Sequence, residues 1–340
     1  MSPPASHVRT RLTHAQVEQV RHARGRSMLL FITDRCPVGC EHCSVDSRVD
    51  SPTINDFALF ESIVTWLCEQ SDLQVVGISG GEPFVERRGL TLAAQRVTAA
   101  GKDLVIFTSG IWARAEIIPR WIEAILARCA CVYLSTDAFH ARSLADSQVM
   151  RAARAVVAAG AWLVVQVLDH GDSVATAERW LVQALGDTWR DHAEMNVIVP
   201  LRSGRGETLF TRIARTPGHA FGPCSLARSP MIRYDGTVTA CCNESVIMSR
   251  GPERLRLQSS SKRELGDAVA TFHRDPLLRV IGDVGLGALT AHPRVRGLGE
   301  RRFATNCELC WQVIDRMPDR TQPDHLLNAI NELTRSPDHE

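Results

Sequence analysis

Residues 28–43 read Met28-Leu29-Leu30-Phe31-Ile32-Thr33-Asp34-Arg35-Cys36-Pro37-Val38-Gly39-Cys40-Glu41-His42-Cys43. The opening stretch is an apolar run of strand length with no polar alternation, which is how a strand buried on both faces reads. Pro37 and Gly39 then argue against a helix, so the thiols fall in a loop directly after the strand. Three thiols within eight residues can wrap one compact inorganic object. An iron–sulfur cube usually takes four thiolates from protein. A triad therefore leaves one iron open for a substrate or cofactor, by the logic of an open catalytic metal position. The alternative is zinc with His42 as a fourth donor, although zinc sites more often use Cys-x2-Cys pairs.

The strand pattern recurs at 73–79, 103–108, 131–136, 161–168 and 194–199. Amphipathic stretches at 56–70, 90–100, 117–128, 147–159 and 173–185 lie between these runs. Six β–α repeats predict an α/β fold with a parallel sheet, open or barrel-like, and chemistry at the carboxyl ends of its strands. The second strand ends in Ser79-Gly80-Gly81-Glu82-Pro83. Its glycines permit close approach to a ligand, and the Glu82 carboxylate suits a cationic ammonium. Ser109, Ser135 and Gln166 close strands three to five; each either contacts a ligand or, for the serines, caps the next helix. Asp137 and His140 follow strand four and are candidates for orienting substrate or exchanging a proton. Arg202 and Arg205, after strand six, either meet a carboxylate or lie in a solvated loop.

Beyond Pro200 the regularity ends. A hairpin is expected over 231–239 around Asp235-Gly236, a polar loop over 249–262, a helix over 264–285 broken near Pro276, and a closing helix over 326–333. Cys224 is followed by eleven residues, Gly236, four residues and Cys241, with Cys242 adjacent and Cys307-x2-Cys310 far downstream. The hairpin brings Cys224 and Cys241 together. With the Cys-x2-Cys pair they make four thiolates, a complete set for either a closed cluster or zinc. Cys242 is a spare core thiol, a substitute ligand for Cys241, or a hydrogen-atom donor. Cys68, Cys129 and Cys131 have no partner spacing and read as structural.

Cys36-x3-Cys40-x2-Cys43 after the first strand, followed one strand later by Gly-Gly-Glu-Pro, resembles the radical S-adenosylmethionine (SAM) superfamily. The later cysteines resemble that superfamily's SPASM auxiliary domain in its shortened twitch form. The resemblance covers roughly residues 28–316. It implies a partial (β/α)6 barrel over 28–215, a small cysteine-ligated auxiliary domain over 216–325, an N-terminal extension over 1–27 and a C-terminal helix and tail over 326–340. It implies two [4Fe–4S] clusters, one on Cys36, Cys40 and Cys43 and one on Cys224, Cys241, Cys307 and Cys310. SAM would bind the open iron, with Glu82 of the Gly80-Gly81-Glu82 turn on its ammonium and His42, Ser109, Ser135 and Gln166 around it. Reductive cleavage of SAM would then yield a 5′-deoxyadenosyl radical that takes a substrate hydrogen. The expected outcome is oxidative modification of a ribosomal peptide or a small natural product, by dehydrogenation or cross-linking. Epimerisation with Cys242 as hydrogen donor is the alternative. A flavodoxin- or ferredoxin-type reductant is implied. The residues before strand one are too few for an independent domain, which argues against a fused leader-binding mode and leaves room for a separate leader-binding partner.

Composition bounds the remaining classes. The 340 residues are 44% hydrophobic with a formal net charge of +1, enough for a large core and without the charge field of a nucleic-acid or membrane binder. No run is long enough to span a bilayer, and Met1 to Leu12 lack the apolar region of a secretory signal. A cytoplasmic location is expected, where eleven cysteines serve as ligands or core residues rather than disulfides. Anaerobically purified protein is expected to carry about eight irons per chain, from two four-iron sites. Stoichiometric zinc with almost no iron, measured by elemental analysis, would contradict the cluster reading.

Overall fold

The structure, a computed structural model, describes residues 10–136, 144–210 and 214–334. Helix α1 (His14–His22) leads into β1 (Ser27–Phe31). There follow α2 (Phe57–Glu69), β2 (Val75–Ser79), α3 (Arg87–Ala99), β3 (Asp103–Thr108), α4 (Arg120–Leu126), β4 (Cys129–Ser135), α5 (Asp146–Ala158), β5 (Trp162–Leu168), α6 (Ser173–Leu185) and β6 (Ala193–Ile198). All five neighbouring pairs from β1 to β6 are parallel. The strands lie in sequence order and the sheet stays open, with β6 at one edge. This is the expected α/β architecture with the order of a partial barrel.

Alternation along the strands separates two environments, because successive strand residues point to opposite faces. Leu30, Ile78, Leu104, Ile106, Val132 and Val165 pack outward into the large core with α2, α3, α5 and α6. Val75, Val105, Cys131, Tyr133 and Val164 point inward, against Leu12 and Val17. Helix α1 is therefore not a loose extension; it covers the inner face. Thr13 and Gln16 close its first turn as a capping box, a reciprocal pair that satisfies two of the helix's unpaired N–H groups. His14 ties it to the sheet through its backbone N–H, which donates to Glu194, and through its ring, which lies 2.9 Å from the Tyr133 hydroxyl.

The second half adds to the same sheet. The hairpin β7 (Met231–Arg233) and β8 (Thr237–Thr239) turns at Gly236, with φ +84°. Strand β7 pairs parallel with β1 on the edge opposite β2. Strand β9 (Arg256–Gln258) pairs antiparallel with β8, where a polar loop was expected. Three residues carry no periodicity to read, and a charged edge strand looks like loop. The sheet thus has nine strands. The expected break at Pro276 is real: α7 (Lys262–Arg274) stops and α8 (Pro276–Asp283) restarts, with Asp275 capping Leu277 and Leu278 N–H groups. Helices α9 (Asn306–Ile314) and α10 (His325–Leu333) complete the chain.

One buried ion pair ties the hairpin to the start of the cysteine loop. Arg233 grips Asp34 with both terminal nitrogens, at 3.1 and 2.8 Å, and the Tyr234 hydroxyl donates to the same carboxylate at 2.8 Å. The Arg233 and Asp34 side chains are 8% and 7% exposed, so neither charge can fall back on water if its partner goes. Arg233→Met is expected to lower the unfolding free energy by about 3–5 kcal/mol, read by urea denaturation of the full chain. A loss below about 1 kcal/mol, the range of exposed pairs, would remove this tie from the account.

Candidate active site

The cysteine loop has no regular structure of its own and is held from several sides. On one side the chain doubles back, with Cys36 N–H donating to Arg48 C=O and Asp34 N–H to Pro52 C=O. From β2, Gly81 N–H donates to Thr33 C=O and Glu82 N–H to Arg35 C=O. A Cβ on Gly80 would lie 2.6 Å from the Thr33 oxygen, and one on Gly81 2.6 Å from the Asp34 oxygen. The two glycines are required for the strand end to dock on the loop. After β6, Arg205 donates to Cys40 C=O at 2.9 and 2.7 Å and pairs with Asp46 at 2.7 Å. Arg205 is thus a clamp on the loop and not a free anchor for a carboxylate. Arg202 is exposed and does not line the chamber described next.

These ties leave a chamber of about 240 Å³ bordered by Cys36, Cys40, His42, Cys43, Gly80, Gly81, Ser109, Ser135 and Gln166. The structure therefore brings together every residue expected there except one. Glu82, expected to offer its carboxylate to an ammonium, has 0% exposure. It accepts from Thr108 Oγ1 at 2.8 Å, from the Ser109 backbone at 2.8 Å, from the Ser109 hydroxyl and from Phe84 N–H at 3.2 Å. Burial raises its pKa, opposed by those same donors. Its carboxylate is spent on joining the ends of β2 and β3, so the chamber is offered the backbone of the turn instead. Asp137 and His140 lie outside the described residues.

A second chamber, about 330 Å³, opens from the first and runs down the inner face of the sheet to α1. The two share Ser44 and Val45 of the cysteine loop as well as Ser79, Gly80, Phe107, Ser135, Gln166 and Glu244. Glu18 and Arg21 of α1 line its floor, with Cys242 and Glu244 on the side of the second half. Sequence reasoning missed Glu18, Arg21 and Glu244. The Thr13-x-x-Gln16 capping signature announces the helix, but nothing local says that it enters the sheet's concave face.

Cys224, Cys241, Cys307 and Cys310 border a separate small pocket with Asn243 and Trp311. Asn243 donates to Cys307 Sγ at 3.2 Å. The adjacent thiols thus part company: Cys241 faces this pocket and Cys242 faces the barrel chamber. Cys68 lies in α2, and Cys129 and Cys131 are buried in β4.

The donor sets suit iron–sulfur clusters. Burial pushes the Cys36 and Cys307 thiols up to about 12, and Cys241 and Cys310 also upward. Such thiols lose their protons to a cation that replaces the lost hydration. Among the described residues no group of three His, Cys, Asp or Glu donors is set to hold a single metal ion. A cluster asks less, since each thiolate reaches a different iron.

No protein-family model matches the chain. It is 20% identical over 126 residues, 36% of its length, to YydG of Bacillus subtilis, whose name assigns it provisionally to peptide biosynthesis. It is 26% identical over 170 residues, 47% of its length, to the PqqA peptide cyclase of Granulibacter bethesdensis. The chain spans less than half of either relative, 40% and 45% of their lengths. Among solved structures, Streptococcus suis SuiB bound to S-adenosylmethionine superposes with a TM-score of 0.50 at 12% identity, over 76% of this chain and 68% of that one.

The split of the two adjacent thiols makes a direct prediction. Cys241→Ala is expected to lose about four irons per chain, one cluster's worth, while Cys242→Ala keeps its full complement. Equal iron loss in both variants, measured on anaerobic preparations, would contradict the assignment.

Proposed function

We propose that this chain, which carries the motifs and the fold of the radical SAM superfamily, inverts a stereocentre in a peptide substrate. The observation that carries the reading is the position of Cys242, whose side chain lines the barrel chamber while its neighbour Cys241 turns to the four-thiol pocket. The names of the two curated relatives, one assigned to peptide biosynthesis and one a peptide cyclase, support a peptide over a small sugar or cyclitol.

In this reading Cys36, Cys40 and Cys43 hold one cluster, and His42, Gly80, Gly81, Ser109, Ser135 and Gln166 border SAM. When bound, this pair supplies the hard chemistry, a 5′-deoxyadenosyl radical able to take a hydrogen atom from carbon. The protein's own residues do the rest. Phe107 and the apolar inner strand positions give the chamber an apolar wall. Cys242 returns a hydrogen atom from the opposite side: its S–H bond breaks homolytically, a C–H bond forms, and the sulfur is left as a thiyl. One electron from a flavodoxin- or ferredoxin-type reductant and one proton restore the thiol. Cys224, Cys241, Cys307 and Cys310, in the segment 216–325, hold the second cluster.

A second reading keeps the oxidative outcome. The four-thiol pocket begins one residue from Cys242; a cluster held there would serve as an electron acceptor beside the chamber and suit dehydrogenation or cross-linking, and the name of the peptide cyclase relative supports the latter.

The two readings separate in deuterated water, with a randomised synthetic peptide library as substrate. Epimerisation predicts peptides of inverted configuration carrying one solvent-derived deuterium, because a thiol exchanges with solvent before it donates. Cys242→Ala should form no inverted product. Inverted, deuterated product from that variant would overturn the donor role. Products lighter by two hydrogens, unaffected by Cys242→Ala, would favour the oxidative reading.

A further inference from the structure

Arg21 and Cys242 lie 221 positions apart, yet Arg21 Nη2 donates a hydrogen bond to Cys242 Sγ at 3.0 Å. The guanidinium is itself held one helical turn back, where Nη1 donates to Glu18 Oε1 at 3.0 Å. Both side chains come from α1 and face the barrel chamber. A guanidinium has five donors and no acceptor. The Cys242 sulfur therefore accepts from Arg21, and its own hydrogen must leave in another direction. Among the described residues this is the only hydrogen bond that the sulfur makes.

We propose that Arg21, anchored by Glu18, is a positioning residue that fixes the Cys242 side chain and turns its S–H bond into the chamber. The helix that reads in sequence as an extension is then a working wall of the active site. This inference rests on the reading of Cys242 as hydrogen-atom donor. In that step one proton and one electron move together, as a hydrogen atom, from sulfur to the substrate carbon radical and leave a thiyl. Arg21 gives up neither proton nor electron; it holds the sulfur where the transfer distance is short, and small misplacement of a reacting group is costly.

The test compares Arg21→Met, which keeps length and loses every donor, with Arg21→Lys, which keeps one charged donor. Each full-length, cluster-loaded variant is incubated in deuterated water with the library peptide that the unaltered enzyme modifies best. The readout is the ratio of deuterated epimer to 5′-deoxyadenosine, which a general loss of activity does not move. Arg21→Met is expected to lower that ratio about tenfold, the scale of one charge-assisted hydrogen bond, and Arg21→Lys to restore part of it. A crystal structure of Arg21→Met should show the Cys242 sulfur displaced. If Arg21→Met fails to fold, Glu18→Gln takes its place, with a fall of about threefold expected from the loosened guanidinium. An unchanged ratio with the sulfur still in place overturns the positioning role. Cys242→Ala run alongside separates the two claims. Epimer from that variant overturns the donor reading and this inference with it. Its absence, together with an unchanged Arg21 ratio, overturns the positioning role alone.

Discussion

Asp34 is the residue on which the cysteine loop turns. It stands immediately after the first strand, and its carboxylate is shared by Arg233 and Tyr234 from the other half of the chain. A loop that carries three thiols cannot also carry a hydrophobic anchor at each step, so its position must be imposed from outside. The imposed contacts are polar and backbone-directed: the ion pair at Asp34, the glycine turn of β2 against Thr33 and Arg35, and Arg205 on the Cys40 carbonyl. Such a buried pair contributes little net stability over an apolar substitute but costs heavily when half of it is removed. Its value here is geometric. It makes the second half of the chain a condition for the shape of the first site.

The same logic explains Glu82. A carboxylate at the end of a strand invites assignment to a cationic ligand, yet a buried carboxylate needs donors, and the Thr108-Ser109 end of β3 provides them. The turn then shows the chamber its glycine backbone. Adjacent residues divide in the same way at Cys241 and Cys242. The chain bends at Cys241, just past β8, and one thiol joins the four-cysteine pocket while the other enters the barrel chamber. The four-thiol pocket and the second chamber thus meet across one peptide bond, Cys241-Cys242.

Much of this was legible in the sequence. The six strands from β1 to β6 appear where apolar runs of Val, Ile and Leu placed them, with β3 at 103–108 and α6 at 173–185 matching to the residue. That success has a physical cause: β2 to β5 are buried on both faces and have no alternative environment, while β6 at the edge is partly exposed. The triad, the Gly80-Gly81 turn, Ser135 and Gln166 converge as spacing and strand order implied. What escaped is non-local. The contact between α1 and the inner face, and so the roles of Glu18 and Arg21, depends on pairings more than a hundred residues apart. The addition of β7 to the free edge of β1 escaped for the same reason. The saturation of Glu82 escaped because it is decided by what faces it from β3, not by its own motif.

In the proposed function, Cys36, Cys40 and Cys43 form the catalytic site because they are one ligand short. The most direct measurement is 5′-deoxyadenosine formed from S-adenosylmethionine by the anaerobic, dithionite-reduced protein, alongside Cys36→Ala, Cys40→Ala and Cys43→Ala. The account predicts 5′-deoxyadenosine from the unaltered chain and none above background from any of the three variants. Cleavage that persists in any one of them would contradict it.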